Sequence, residues 1–250
     1  MHGLHNLLQQ FLYMDPIIAC MRQDLEDSAD PQAKKSFQKF FREEVKCYGV
    51  RGPVVSRIAR KYWKEVSVRD RQEIFRRCEE LLASGYMEEA FVVSDWVPRM
   101  KARFIREDFT LFSRWIETYI SNWAVCDSFC NHAVGDFIEL FPEFVDELKP
   151  WTQSENRWVR RAAAVSLIVP AKHGKFIDEV IAIADLLLND GDDMVRKGYG
   201  WLLKEASRKH QAIVFDYILK NRRNMPRTAL RYAIELMPGA MRAEAMSMDW

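Results

Sequence analysis

Trp123 and Asp127 stand four residues apart, so on a helix they share one face. A carboxylate next to an indole is a pairing that can stabilise positive charge, the acid by its field and the ring by its negative face. About one segment later come Arg160 and Arg161, and one segment further Arg196, Lys197 and Trp201. If successive helices stack, these side chains converge on one surface. Each also has a plainer role. A helical tryptophan is commonly core, an aspartate in a first turn can answer the helix dipole, and arginines near helix starts are usually solvated. Spacing alone leaves a shared functional surface and separate structural roles equally open.

Other chemistry finds little support. The five histidines, His2, His5, His132, His173 and His210, are scattered, and no HExxH pattern occurs. Cys126, Cys130 and His132 are close enough in sequence for a partial metal site, but zinc needs three or four convergent ligands, and two buried thiols on a packed helix are the better reading. No metal and no cofactor is expected. The Gly49-Val-Arg-Gly52 stretch lacks a Walker lysine and reads as a turn between helices. No GxSxG elbow is present. Nucleotide hydrolases, dehydrogenases, elbow hydrolases and metalloproteases are thereby disfavoured.

The elements that must carry these residues are helices. Gly and Pro are sparse, at 10 and 9, while Leu, Ala, Arg, Lys and Glu abound, and long alternating strand patterns are missing. His5–Asp27 carries Leu8, Phe11, Leu12, Ile17, Ile18, Met21 and Leu25 at helical spacing. Asp30-Pro31 reads as an N-cap and first turn, opening a helix that runs to about Cys47 through Phe37, Phe40, Phe41 and Val45. Tyr48–Pro53 interrupts, and Pro53 opens the next helix.

Residues 1–67 therefore read as N-terminal helices. From 68 to 240 the chain looks periodic, with five two-helix units whose second helices begin near Ser84, Ser121, Ser154, Gly191 and Asn224. That spacing of roughly 33–37 residues suits HEAT-like repeats. Serines 84, 121 and 154 read as caps. One such helix pair cannot bury its apolar face alone, so the expectation is a single all-α domain over 1–250, a helical-repeat solenoid with a concave groove.

Composition sets further bounds. The charged fraction is 29% and the net charge +1, which does not advertise nucleic-acid binding, although a basic groove can be offset by an acidic back face. Five cysteines without a CxxC spacing suit reduced thiols in a cytoplasmic protein. The N-terminus lacks a basic region followed by an apolar run, so no signal peptide is expected. The longest apolar stretches, Ala162–Ala171 and Val180–Leu188, fall well short of the ~20 residues of a membrane span.

Three segments carry a resemblance. Ser121-Asn-Trp-Ala-Val-Cys-Asp-Ser128 resembles the Trp-x-x-x-Asp-Ser segment of the AlkD-type DNA alkylation-repair glycosylases. Ser154–Ala163 is similar to their next signature, an arginine before two alanines, and Val195–Glu205 to their Lys-x-x-Gly-Trp helix. Tyr48–Pro53 and Met225–Ala233 fit two further family segments, although Gly52-Pro53 stands where the family usually has Thr-Pro. The likeness runs from about Phe37 to Met237.

The resemblance implies a bacterial, monomeric enzyme that acts on duplex DNA containing an alkylated purine. It would excise cationic N3- or N7-alkylated bases with no cofactor. Asp127 would be the catalytic carboxylate, and Trp123 and Trp201 the aromatic walls. Arg161 would contact the DNA backbone near the lesion. Phe40 would be a third aromatic, and Arg57, Arg60, Lys61 and Lys197 phosphate contacts. The family also has branches without detected glycosylase activity. The alternatives are therefore a catalytically silent DNA-binding relative and, from another class, a HEAT-type protein-interaction scaffold, which the near-neutral charge suits equally well.

Overall fold

The computed structural model describes residues 15–247. Among them there is no strand, and the fold is all-helical. The His5–Asp27 helix is present from Pro16; the residues before 15 lie outside the described part. No described helix is long and apolar enough to cross a membrane. The chain divides into two compact units, one ending at Arg103 and one beginning at Phe104.

The first unit holds α1 (Pro16–Asp27), α2 (Pro31–Gln38), α3 (Gly52–Val66), α4 (Arg71–Ala83) and α5 (Met87–Arg99). Asp15, Asp30 and Asp70 cap α1, α2 and α4, each accepting a hydrogen bond from a first-turn amide. The core is built from Ile18, Met21, Leu25, Ile74, Leu81 and Trp96, all fully buried. Trp96 satisfies its indole by donating Nε1–H to the Ala59 carbonyl at 2.9 Å.

Helix α2 stops at Gln38 rather than near Cys47. The apolar spacing of Phe37, Phe40, Phe41 and Val45 mimics a helix, but the Gln38 side chain donates to the Glu43 carbonyl (2.7 Å) and accepts from the Val45 amide (3.2 Å), and the path beyond is held from α5. Glu88, fully buried on α5, accepts from the amides of Tyr48 (3.1 Å), Gly49 (2.8 Å) and Val50 (3.0 Å). Its neighbour Glu89, also buried, is clamped by Arg22 and by the Tyr48 hydroxyl at 2.7 Å. Two buried carboxylates fully supplied with donors fix the stretch before α3 in an irregular path. Gly49 belongs to that path by necessity. Its φ is +96°, and a Cβ there would sit 2.7 Å from the Asp30 carbonyl.

The second unit holds α6 (Asp108–Tyr119) and α7 (Trp123–Phe129), a π-helical turn (Cys130–Val134) and α8 (Gly135–Leu140). These are followed by α9 (Leu148–Trp151), α10 (Arg157–Val165), α11 (Ile168–Lys172), α12 (Ile177–Leu186), α13 (Asp193–Asn221), α14 (Arg227–Ala233) and α15 (Gly239–Met246). Helix α13 packs against α10, α11, α12 and α14, so it is the unit's central strut. It is kinked at His210, where φ −128° and ψ 47° leave the helical region. An aromatic core of Phe104, Phe109, Phe112, Phe137, Phe144 and Trp151 fills the other end, with ring centroids 5.2–6.3 Å apart. Each such pair adds about 0.5–1.5 kcal/mol beyond area burial.

Helices α5, α7, α10, α13 and α14 begin at residues 87, 123, 157, 193 and 227, two or three past the expected starts. The offset has a cause. The caps are Asn122, Asn156 and Asp192, whose side chains accept from the amides of Val125, Trp158 and Met194. Ser84 and Ser154 sit two residues earlier and accept from the amides of Tyr86 and Asn156, so they shape the preceding turn and do not cap.

Candidate functional site: a buried aspartate–arginine pair

Asp127 is the fifth residue of α7, one turn after Trp123, and its side chain is 15% exposed. Arg161 reaches it from α10. Nε donates to Oδ1 and Nη2 to Oδ2, both at 2.8 Å, a fork-to-fork pair with the arginine side chain only 5% exposed. The third guanidinium nitrogen, Nη1, donates to the Met194 carbonyl in the first turn of α13. Three helices thus meet on one guanidinium.

Burial pushes the Asp127 carboxyl above its ordinary value, and Arg161 pulls it back down without cancelling the effect. Burial alone would lower Arg161, but the hydrogen bonds to Asp127 hold it above its ordinary value. With both carboxylate oxygens accepting from one cation, the pair is an ion pair. Each oxygen keeps a lone pair for a further contact.

Around this centre lies a second ionic layer that the sequence did not reveal. Arg160 pairs with Asp190 (2.7 Å) and donates to the carbonyls of Ser154 and Glu155, while Arg157 pairs with Asp192 (3.2 Å). Arg196 Nε donates to the Asp190 carbonyl at 2.6 Å. These bonds fasten the start of α10 to the turn before α13. The adjacency of Arg157, Arg160, Asp190 and Asp192 was the available signal, but it needs the helix pairing to be read. On α14, the exposed Tyr232 lies within electrostatic reach of Arg161.

The other expected residues fall as follows. Trp123 and Trp201 are half-buried, on α7 and α13. Arg161 is no free phosphate contact as it stands, because its fork is closed on Asp127 and its last nitrogen on Met194. Lys197 pairs with Asp193 at 2.8 Å on the same helix. The remaining expected residues lie in the first unit. Arg57 and Arg60 are exposed on α3, Lys61 is paired with Asp24 at 2.6 Å, and Phe40 is 71% exposed in the turn after α2. Cys126 and Cys130 are buried and His132 exposed, and no cluster of three metal-binding side chains exists among the described residues.

An all-helical chain with a desolvated Asp–Arg pair is thereby defined, and sequence comparison gives it a family. The family model described as DNA alkylation repair enzyme matches residues 21–237, and the chain belongs to that family. Among solved structures, one described as a predicted DNA alkylation repair enzyme from Enterococcus faecalis superposes with a TM-score of 0.76 at 15% identity, over 85% of this chain and 98% of that one. The Pseudomonas fluorescens alkylpurine DNA glycosylase AlkC, bound to DNA containing an abasic site analog, gives a TM-score of 0.47 at 20% identity, over 73% of this chain and 51% of that one. No curated protein matches the sequence.

Proposed function

We propose that this protein is an AlkD-type DNA glycosylase, built on HEAT-like repeats, that removes cationic N3- or N7-alkylated purines from duplex DNA. The observation that carries the reading is the bidentate Asp127–Arg161 pair, one turn from Trp123. A buried ion pair adds little stability over apolar side chains of similar size, so retaining one argues for a role that needs the charge.

The chemistry follows. A purine methylated at N3 or N7 already carries positive charge and leaves as a neutral base without being protonated. As the N-glycosidic bond breaks, positive charge grows on the deoxyribose. A carboxylate fixed in a low-dielectric setting stabilises that charge by a few kcal/mol. A free lone pair on Asp127 can also accept a proton from the water that adds to C1′. Arg161 keeps the carboxylate ionised and aimed. Indoles at Trp123 and Trp201 favour a cationic base over a neutral one by about 0.5–2 kcal/mol each. Affinity for the duplex comes from basic side chains on phosphates and falls steeply with salt.

The test is release of 3-methyladenine and 7-methylguanine from methylated duplex DNA by the purified protein. Salt-sensitive duplex binding without release would assign it instead to the silent branch. Absence of both would leave the protein-interaction scaffold.

A further inference from the structure

The pair at Asp127 has a third, unexpected supporter. Gly198 lies in the interior of α13, where glycine is a poor helix former and its φ/ψ needs no glycine. A Cβ built there would lie 3.3 Å from Arg161 Cγ and 3.4 Å from Nη1, with Val165 at 3.7 Å. The contact with Cγ is tight enough that Arg161 must give by a few tenths of an ångström, while those with Nη1 and Val165 are ordinary van der Waals contact. Arg161 can yield only at the expense of its hydrogen bonds. Two of its nitrogens are bonded to Asp127 and the third to the Met194 carbonyl, one turn before Gly198 on the same helix.

We propose that Gly198 is a positioning residue: the missing side chain forms a slot in α13 that seats the Arg161 guanidinium and thereby fixes the Asp127 carboxylate. Met194 closes one end of the slot and Asp127 the other. Gly198→Ala moves the guanidinium by a few tenths of an ångström, and the strain falls on the two bonds to Asp127. This deepens the glycosylase reading and rests on it for its consequence in catalysis, but the slot itself is testable without turnover.

The charged and titratable groups facing the pair are few. They are Cys126 beside Asp127 on α7 and Tyr232 from α14. None of them replaces Arg161 as partner, so weakening the fork must show in the Asp127 carboxyl. The experiment follows the side-chain carboxyl carbon of Asp127 and the Arg161 Nε–H by NMR through a pH titration, in wild type and Gly198→Ala. In the variant the Asp127 midpoint is expected to rise by half a unit or more and the Nε–H signal to shift. Single-turnover release of 7-methylguanine is expected to fall about tenfold with duplex affinity within twofold.

A thermal-unfolding cycle separates this from general damage. In an Arg161→Ala background the new methyl meets no guanidinium, so Gly198→Ala raises the melting temperature as an ordinary helical Gly→Ala change does; in wild type it does not. An unmoved Asp127 midpoint, or the same thermal shift in both backgrounds, overturns the proposal. If wild type releases no base but the midpoint still moves, the slot stands and the glycosylase reading fails.

Discussion

Asp127 and Arg161 occupy the same register in their helices, each the fifth residue after an asparagine cap, Asn122 or Asn156. Opposite charges are therefore delivered to one point by two helices that start alike. The third helix of the series, α13, starts in the same way at its Asp192 cap and supplies a backbone carbonyl where the others supply side chains.

Asp127→Asn keeps the shape and removes the charge. It also turns an NH2 group toward the Arg161 fork, so one of the two bonds is lost. Base release from methylated duplex should fall by about 10²–10³-fold, the scale of losing one preorganised electrostatic group. Duplex affinity should be unchanged. Full activity in the variant would remove Asp127 from the mechanism.

Arg161→Ala strands a carboxylate that is 15% exposed. Removing one partner of a buried pair costs about 3–5 kcal/mol, read as a shift of the urea midpoint at pH 7. The pH dependence has a definite sign. The folded-state value of Asp127 is already raised, with burial the main cause, and without Arg161 it rises further. A raised folded value means that the protonated form is preferred on folding, so the variant should recover stability as pH falls and lose it as pH rises through that value. A deficit independent of pH between 4 and 8 would contradict the pairing.

Glu88→Gln should cost on the order of 2–3 kcal/mol in thermal unfolding. The amide leaves one oxygen for the three backbone N–H groups that two oxygens now serve, and turns a donor toward at least one of them. Amide exchange at Tyr48, Gly49 and Val50 should speed up selectively.

Gly200→Ala should destabilise by about 1–3 kcal/mol despite the better helix propensity of alanine. The new Cβ would lie 2.8 Å from the Ala229 carbonyl and 2.9 Å from Tyr232 Cβ, both on α14. A melting temperature equal to or above wild type would show that α14 retreats at no cost.

Asp24→Asn bears on the expected phosphate contact at Lys61. Lys61 now bonds Asp24 at 2.6 Å, and that bond holds the Asp24 carboxyl below its ordinary value against the opposing effect of burial, with help from the Tyr62 hydroxyl. If Lys61 meets DNA, releasing it should tighten duplex binding and steepen the salt dependence by about one counterion. Unchanged affinity would remove Lys61 from the contact set. The same pair adds stability that is present above the ordinary aspartate range and lost as pH falls through the lowered value, so the variant should lose that acid-side dependence.

The helical class was legible because periodicity and composition survive without tertiary information: the interruption before Pro53 and the Asp30-Pro31 start appear as read. The helix expected from Pro31 to about Cys47 stops at Gln38, whose side chain bonds the Glu43 carbonyl and the Val45 amide, and the path beyond is held by a carboxylate some forty residues downstream. The kink at His210 left no mark in the apolar spacing. Asp127 and Arg161 can each be singled out by type and position, but their pairing cannot be read from the chain. Only the meeting of α7, α10 and α13 shows the arginine closed on the aspartate and the Met194 carbonyl. Gly198 and Gly200 look alike in the chain, yet one admits a guanidinium and the other a neighbouring helix.

The hold of Met194 on Arg161 has a temporal meaning. During synthesis α7 and α10 leave the ribosome before α13, so the Arg161 fork can meet Asp127 before its third acceptor, the Met194 carbonyl, exists. A chain that stops short of α13 therefore lacks one of the three acceptors that fix the Arg161 guanidinium.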